Sequence, residues 1–154
     1  MVVKEKYTHT RNYGCRIRQY SMENNFRMLS MENAKIKVVF ALDKGADIVE
    51  LVYKPEDLDY MWHSFNTLNN SKHQMTKAAP VGNFSDTYVG GWQDLFPTYG
   101  APATMTHGAE IGIHGEACLY PWNCEVLEDT PECVKVKLSL RTIRTPFILE
   151  KEVF

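Results

Sequence analysis

A run of eight residues near the carboxyl end of the chain alternates strictly between apolar and polar side chains, and it constrains the fold more than any other feature. The apolar positions are Val134, Val136, Leu138 and Leu140, and a polar residue follows each of them. Successive side chains of a β-strand point to opposite faces of a sheet, whereas those of a helix repeat every three to four residues. The run therefore predicts a strand with one face in a core and the other in water.

Further strands are predicted along most of the chain by shorter alternating or apolar runs bounded by turn sequences. They cover residues 16–20, 26–31, 36–40, 46–53, 118–127, 133–141 and 147–154. Turn sequences at residues 43–45 and 128–132 join two pairs of these strands as hairpins. Strands that follow one another with few helices predict an all-β fold, either an antiparallel β-sandwich or a barrel. Residues 1–154 contain no linker or internal repeat, which indicates a single domain or part of one.

The charge balance and composition argue against several classes of partner. The 154 residues carry 17 basic and 19 acidic side chains, for a net charge of -2, and the basic ones are scattered. This balance gives no electrostatic reason to expect binding to nucleic acid or to an anionic membrane. No apolar stretch has the length of a signal peptide or a transmembrane helix, which predicts a cytoplasmic location.

The cysteines indicate no metal site of their own. Cys15, Cys118, Cys124 and Cys133 include no pair separated by two residues, so the pattern does not favour a zinc knuckle. In a cytoplasmic protein we expect them to be reduced thiols that pack as small apolar groups.

The middle of the chain lacks a clear period. Residues 66–83 are polar and irregular, with a short helix predicted at 71–77, and residues 88–115 are rich in glycine, proline and aromatic side chains. A long irregular stretch in a compact protein is more often a functional surface than a simple connection. We therefore expect the ligand site in or beside residues 88–115.

The densest group of functional side chains begins in the sequence Gly-Gly-Trp-Gln-Asp at residues 90–94. Trp92 offers a flat apolar face that matches the C–H face of a sugar ring. Gln93 and Asp94 carry groups that can hydrogen-bond vicinal hydroxyls, although Asp94 could instead cap a turn. Together these residues favour a polar, uncharged ligand such as a carbohydrate.

A second group follows at residues 114–122. His114 can donate or accept a proton near neutral pH, and Gly115 lets the backbone approach another group closely. Glu116 is a candidate ligand contact and Trp122 a candidate second sugar platform. His114, Glu116 and Trp122 each also have a structural alternative: a hydrogen-bonded structural histidine, a surface carboxylate and a core tryptophan, respectively.

A metal site is an alternative interpretation of part of this region. His107, Glu110, His114 and Glu116 could bind a divalent ion at the mouth of a barrel, as in the cupins. The cupin pattern requires two histidines separated by one residue, and the chain has no such pair. The spacing therefore does not support a metal site, and we expect neither a metal nor another cofactor.

The order of these segments resembles the amino-terminal part of the aldose 1-epimerase (galactose mutarotase-like) superfamily. The resemblance rests on residues 45–53, on Gly-Gly-Trp-Gln-Asp-Leu-Phe-Pro at 90–97, on His-Gly-Glu at 114–116 and on Pro-Trp at 121–122. It extends from about residue 34 to residue 154. What it implies is a β-supersandwich that binds a hexose or a related sugar in a shallow cleft.

The resemblance also implies a reaction. In such enzymes a carboxylate removes the proton from the anomeric hydroxyl while a histidine protonates the ring oxygen, so the ring opens and recloses as the other anomer. His114 matches the earlier histidine of the family, in its His-Gly motif, and is therefore the candidate catalytic residue. The well-known mutarotases have an arginine-containing motif where this chain has residues 91–94, so the sugar contacts are expected to differ.

The family's second histidine and its catalytic glutamate lie in its carboxy-terminal half, and no residue of this chain matches them. The chain also ends on Val153 and Phe154 without a turn or a polar tail. We therefore expect a carboxy-terminal part to complete the sheet and the site, with self-association through an open sheet edge or a tucked-in terminal strand as alternatives. We do not expect full catalytic activity from the chain alone, and a non-catalytic carbohydrate-binding β-sandwich module is the alternative function.

Overall fold

The computed structural model of the chain describes residues 11–22, 25–68, 83–105 and 107–154. Most of their regular structure is antiparallel β-sheet, so the predicted all-β class is confirmed. Within these ranges the helical segments are a 3-10 turn at Lys54–Glu56 and α1 at Asn83–Thr87. Neither is long and apolar enough to cross a membrane.

Strands β1 to β5 form a five-stranded antiparallel sheet in which each strand pairs with the next one in sequence. Their bounds are Arg16–Ser21, Arg27–Glu32, Ile36–Ala41, Asp47–Tyr53 and Leu58–Asp59. The predicted turn at residues 43–45 joins β3 to β4. A β-bulge interrupts this pair, because Glu50 lies opposite Val39 whereas Ile48 lies opposite Phe40.

A second, three-stranded antiparallel sheet has the order β10-β9-β8. These strands span Asn123–Asp129 (β8), Val134–Arg141 (β9) and Ile148–Val153 (β10), and a short pair, β6 (Ala103–Thr104) and β7 (Glu110–Ile111), precedes them. The four alternating apolar residues of β9 are all buried, as the sequence pattern predicts.

The two larger sheets share one apolar cluster, here called the main core. It combines residues of β2 and β3 with the buried face of β9: Leu29, Met31, Phe40, Val134, Val136, Leu138 and Leu140. A smaller core contains the neighbouring residues Met28, Val39 and Val49 together with Phe26, Ala41 and Val89. Because neighbouring residues of a strand point to opposite faces, the two cores cover the two faces of the five-stranded sheet.

The strand predicted at residues 118–127 is wrong at its start. Residues 118–120 form a turn in which the backbone N–H of Leu119 donates to the carbonyl of Glu116 at 3.0 Å. The run is apolar because this turn is buried: Cys118 is fully inaccessible and Leu119 nearly so.

Strand β8 begins instead at Asn123 and continues through Glu128 and Asp129, which the sequence had placed in the turn. The α1 helix at Asn83–Thr87 was not predicted, and the helix predicted at 71–77 lies outside the described residues.

Candidate functional site

The loop that carries Trp92 is anchored to the five-stranded sheet by its backbone. Trp92 and Ile48 of β4 exchange two backbone hydrogen bonds, each of 2.9 Å. Gly91 permits this approach, because its φ is +76° and a Cβ atom there would lie 2.3 Å from the Ile48 carbonyl oxygen. With its backbone fixed in this way, the Trp92 side chain remains 62% exposed. The Trp92 ring is therefore an exposed aromatic surface on a fixed backbone.

The loops bearing Trp92 and His114 lie side by side, because Phe96 and Gly115 form a parallel backbone bridge. The Phe96 carbonyl accepts the N–H groups of Glu116 at 2.7 Å and Ala117 at 3.1 Å. At Gly115, φ is +83° and a Cβ atom would lie 2.1 Å from the Phe96 carbonyl oxygen. The sequence predicted a close backbone approach at this glycine, and the group it approaches is the neighbouring loop.

His114 is half-exposed, and its ring is held by two contacts. The ring lies edge-on to Phe84 of α1, with the centroids 4.3 Å apart, and Nδ1 lies 2.6 Å from the carbonyl oxygen of Tyr99. A carbonyl only accepts hydrogen bonds, so Nδ1 carries a proton, and in the tautomer that has no second proton Nε2 is the acceptor. Nε2 is on the side of the ring away from Tyr99, where it can accept and return a proton.

Asp94 is ion-paired with Lys151 of β10, although the two residues lie in different parts of the chain. Lys151 also sits 4.9 Å above the centre of the Trp122 ring, a cation–π contact. Both charged side chains remain partly exposed. Asp94 is thus a carboxylate fixed beside Trp92 by a cation from the other sheet.

Gln93 points toward a buried ion pair beneath the loop. Its Nε2 donates to the Gly90 carbonyl at 2.5 Å, and its side chain lowers the pKa of Asp47. Asp47 and Lys44 pair with each other and are both almost completely inaccessible. Burial raises the pKa of Asp47 to about 6, against the opposing effect of the Lys44 ammonium. Gln93 therefore connects the candidate site to the charged pair in the β3–β4 turn.

Trp122 has the environment of a core residue. It is 2% exposed, belongs to the main core, and donates its Nε1–H to the Ala117 carbonyl at 3.0 Å. A buried tryptophan with its N–H satisfied offers no free face to a sugar. The structure therefore favours the core alternative for Trp122 over the second-platform alternative.

Glu116 is also buried, at 3% exposure, and its carboxylate organises the loop at residues 142–147. Oε1 accepts the backbone N–H groups of Ile143 at 3.1 Å and Arg144 at 2.8 Å, and Oε2 accepts the Thr145 hydroxyl at 3.0 Å. These contacts are neither those of a surface carboxylate nor those of a ligand contact. Glu116 holds the chain in place between β9 and β10.

The residues of the alternative metal site do not converge. In the described ranges, no group of three or more histidine, cysteine, aspartate or glutamate side chains is close enough together to hold a metal ion. The His107 ring instead contacts the Arg144 carbonyl at 2.8 Å, and the Glu110 carbonyl accepts from the Arg144 guanidinium at 2.6 Å.

Three residues that hold the candidate site were not found in the sequence. Tyr99 orients His114, Lys151 pairs with Asp94, and Asp47 is the buried carboxylate whose pKa Gln93 lowers. Each acts on a residue from another segment, so no local spacing could have revealed the contact. One local signal pointed to Lys151. On the inward side of β10, this charged residue lies between the apolar residues Leu149 and Val153.

No model of a known protein family matches the chain, and no curated protein sequence matches it significantly.

Proposed function

We propose that this chain is part of an aldose 1-epimerase-like protein that binds a hexose or a hexose derivative on the surface formed by residues 92–94 and His114. The observation that carries the proposal is the bridge between Phe96 and Gly115, which puts the loop of Trp92 beside the loop of His114. A flat aromatic ring, hydrogen-bonding side chains and a titratable imidazole are thereby available along one pair of loops. This combination suits a ligand with one apolar face and many hydroxyls.

The role proposed for each residue follows from its contacts. Trp92 stacks on the C–H face of the sugar, because its backbone is fixed and its ring is exposed. Asp94 hydrogen-bonds the ring hydroxyls, and the Lys151 ammonium positions its carboxylate. Gln93 supports the loop from beneath through the Gly90 carbonyl. His114 exchanges a proton with the sugar through Nε2 while Tyr99 holds Nδ1.

We also propose that the two larger sheets are the layers of a β-sandwich of the galactose mutarotase-like type, since residues of both contribute to the main core. A cytoplasmic location is proposed as well, and it is supported by the four cysteines, which are free thiols.

A second candidate function, carbohydrate binding without catalysis, is favoured by the contacts of the two candidate carboxylates, Asp94 and Glu116. Asp94 is engaged by Lys151, and Glu116 is buried under three hydrogen bonds. Anomer exchange requires a carboxylate base in addition to the histidine. If another part of the protein does not supply that base, the same surface binds the sugar and releases it unchanged.

The test of hexose binding uses two tryptophans of nearly equal exposure. Trp92 is 62% exposed and Trp62 is 65% exposed, whereas Trp122 is buried. In the chain labelled with ¹⁵N-tryptophan, a titration with glucose or galactose is followed through the three indole N–H signals. We expect the Trp92 signal to shift in a saturable way and the Trp62 signal to stay in place.

Variants assign these signals and test the contact. Trp92→Ala is expected to raise the hexose Kd by about three- to tenfold, the usual value of an aromatic contact, and Trp62→Ala is expected to leave it unchanged. Equal effects of both substitutions, or saturable binding that moves only the Trp62 signal, would refute the proposed surface.

A further inference from the structure

The face of the five-stranded sheet that carries the smaller core has a cavity of about 360 Å³ near β1. It lies on the strands away from the loops at residues 90–97 and 114–116, and the proposed hexose surface has no part in it. Its wall is unusually rich in cations for a chain with a net charge of -2. The charged residues that line it are Arg11, Arg16, Arg18, Glu32 and Lys37.

Acidic partners only partly neutralise these cations. Arg11 pairs with Asp129, Arg16 with Glu32 at 3.2 Å, and Lys37 with Glu50 at 2.6 Å. Lys54 is a further cation on Glu32. Together with Arg18, the cluster therefore holds five cations and three carboxylates. Arg18 forms no ion pair with another described residue. The net positive charge favours an anion in the cavity.

Two guanidinium groups in the cavity wall each have an N–H group without an acceptor. The Nε atoms of Arg11 and Arg16 are buried and have no hydrogen-bond partner in the described part of the chain. A buried donor without an acceptor is costly. The oxygens of phosphates and carboxylates are the acceptors that match guanidinium groups best.

A second cavity, of about 390 Å³, adjoins the first along the same sheet face. Tyr20 lines both of them. The second cavity is largely apolar, with Met22, Met28, Val49 and Val89 in its wall. Lys37 of the first cavity and Glu50 of the second form an ion pair, so the two cavities are adjacent along β3 and β4.

From the shared Tyr20 wall, the unsatisfied arginine donors and the apolar neighbour, we propose that this cleft binds a small amphipathic anion. Its phosphate or carboxylate group contacts Arg11, Arg16 and Arg18, and its aromatic or aliphatic body extends past Tyr20 into the apolar cavity. The proposal does not rest on hexose binding, since none of the residues 92–94 or His114 lines either cavity, although Gly91 of the same loop lines the apolar one.

Isothermal titration calorimetry of the full chain with three probes tests it: phenyl phosphate, inorganic phosphate and phenol. Phenyl phosphate is expected to bind at least about tenfold more tightly than either of the other two, because only it fills both ends of the cleft. Arg18→Ala is expected to weaken phenyl phosphate and inorganic phosphate alike, by about tenfold. Met22→Gln is expected to weaken phenyl phosphate alone.

Arg141→Ala is the matched control, since Arg141 is also an exposed strand arginine without an ion pair to another described residue. It is expected to leave all three affinities unchanged. The proposal is overturned if phenyl phosphate shows no saturable binding, if it binds no more tightly than inorganic phosphate, or if Arg141→Ala weakens it as much as Arg18→Ala does.

Discussion

Lys151 of β10 forms an ion pair with Asp94, 57 positions earlier in the chain, and so ties the three-stranded sheet to the loop of the candidate hexose site. Lys151 points inward between Leu149 and Val153, both of which pack against the main core. The inward position accommodates the charged Lys151 because its ammonium reaches Asp94 and its stem passes over Trp122. The orientation of Asp94 therefore depends on β10.

Replacing Lys151 with methionine is predicted to affect ligand binding more than folding. The substitution keeps the stem over Trp122 and removes the cation, and an ion pair this exposed stabilises a protein by at most about 1 kcal/mol. Asp94 loses its anchor, so we expect the hexose Kd in an NMR titration to rise by about two- to fivefold. Lys135→Met, which removes the ion pair with Glu152 in the same sheet, should leave the Kd unchanged. An equal loss of binding in both variants would contradict this account of Asp94.

Gly115→Ala is predicted to destabilise the chain strongly. The new Cβ would lie 2.1 Å from the Phe96 carbonyl oxygen, and the backbone is at φ +83°. Two other glycines distinguish the steric contact from the backbone conformation. Gly108, at φ +85°, has open space around it, and Gly100 has open space and an ordinary φ. In urea unfolding we expect a loss of about 1–2 kcal/mol for Gly108→Ala, more for Gly115→Ala and almost none for Gly100→Ala. Equal losses at 115 and 108 would mean that the Phe96 contact is unimportant.

The buried Asp47 predicts a distinctive pH dependence of stability. Its pKa is raised by burial to about 6, above the value of about 4 that an aspartate has in an unfolded chain. Between those values the native state binds more protons than the unfolded state. The stabilisation that the proton on Asp47 contributes to the native state is therefore complete below about pH 4, and it is lost as the pH rises through about 6.

This effect is measured as the slope of the free energy of unfolding against pH. The slope from pH 4 to pH 7 should be more negative in the native chain than in Asp47→Asn, with an accumulated difference on the order of 1–3 kcal/mol. Parallel curves would show that Asp47 titrates at its ordinary pKa.

Cys118 is predicted to be the least reactive of the four thiols. It is completely inaccessible, and burial raises its pKa to about 12, so about one thiol in ten thousand is ionised at pH 8. Cys15, Cys124 and Cys133 are all partly exposed. With iodoacetamide at pH 8, mass spectrometry should find Cys118 modified last, and only as fast as the chain unfolds. Modification of Cys118 at the rate of Cys124 would contradict this.

The sequence predicted most of the strands, because a half-buried strand leaves a local pattern. In β9 the alternation of apolar residues from Val134 to Leu140 coincides with burial at every position. The prediction failed at residues 118–120, where Cys118 and Leu119 are apolar because the turn is buried. A short apolar run does not distinguish a buried turn from a strand.

The candidate site was predictable only in part. The sequence identifies Trp92 and His114 by their chemistry, but the environment of a side chain depends on segments that are distant in the chain. Trp122 has the same chemistry as Trp92, yet the main core closes over it. Glu116 binds residues 143–145, more than 25 positions later, and no spacing rule anticipates such a contact.

The most direct test of the proposed function is the rate at which the protein interconverts hexose anomers, measured by NMR exchange spectroscopy above the spontaneous rate. His114→Asn is the decisive variant, because asparagine tolerates the left-handed backbone at φ +64° and hydrogen-bonds without titrating. We expect it to lower the protein-dependent rate by about 10²–10⁴-fold, whereas His107→Asn, at an exposed histidine outside the site, should have no effect. A protein that accelerates exchange equally well with and without His114 would contradict the account, and one that binds a hexose without accelerating exchange would replace catalysis with the binding function.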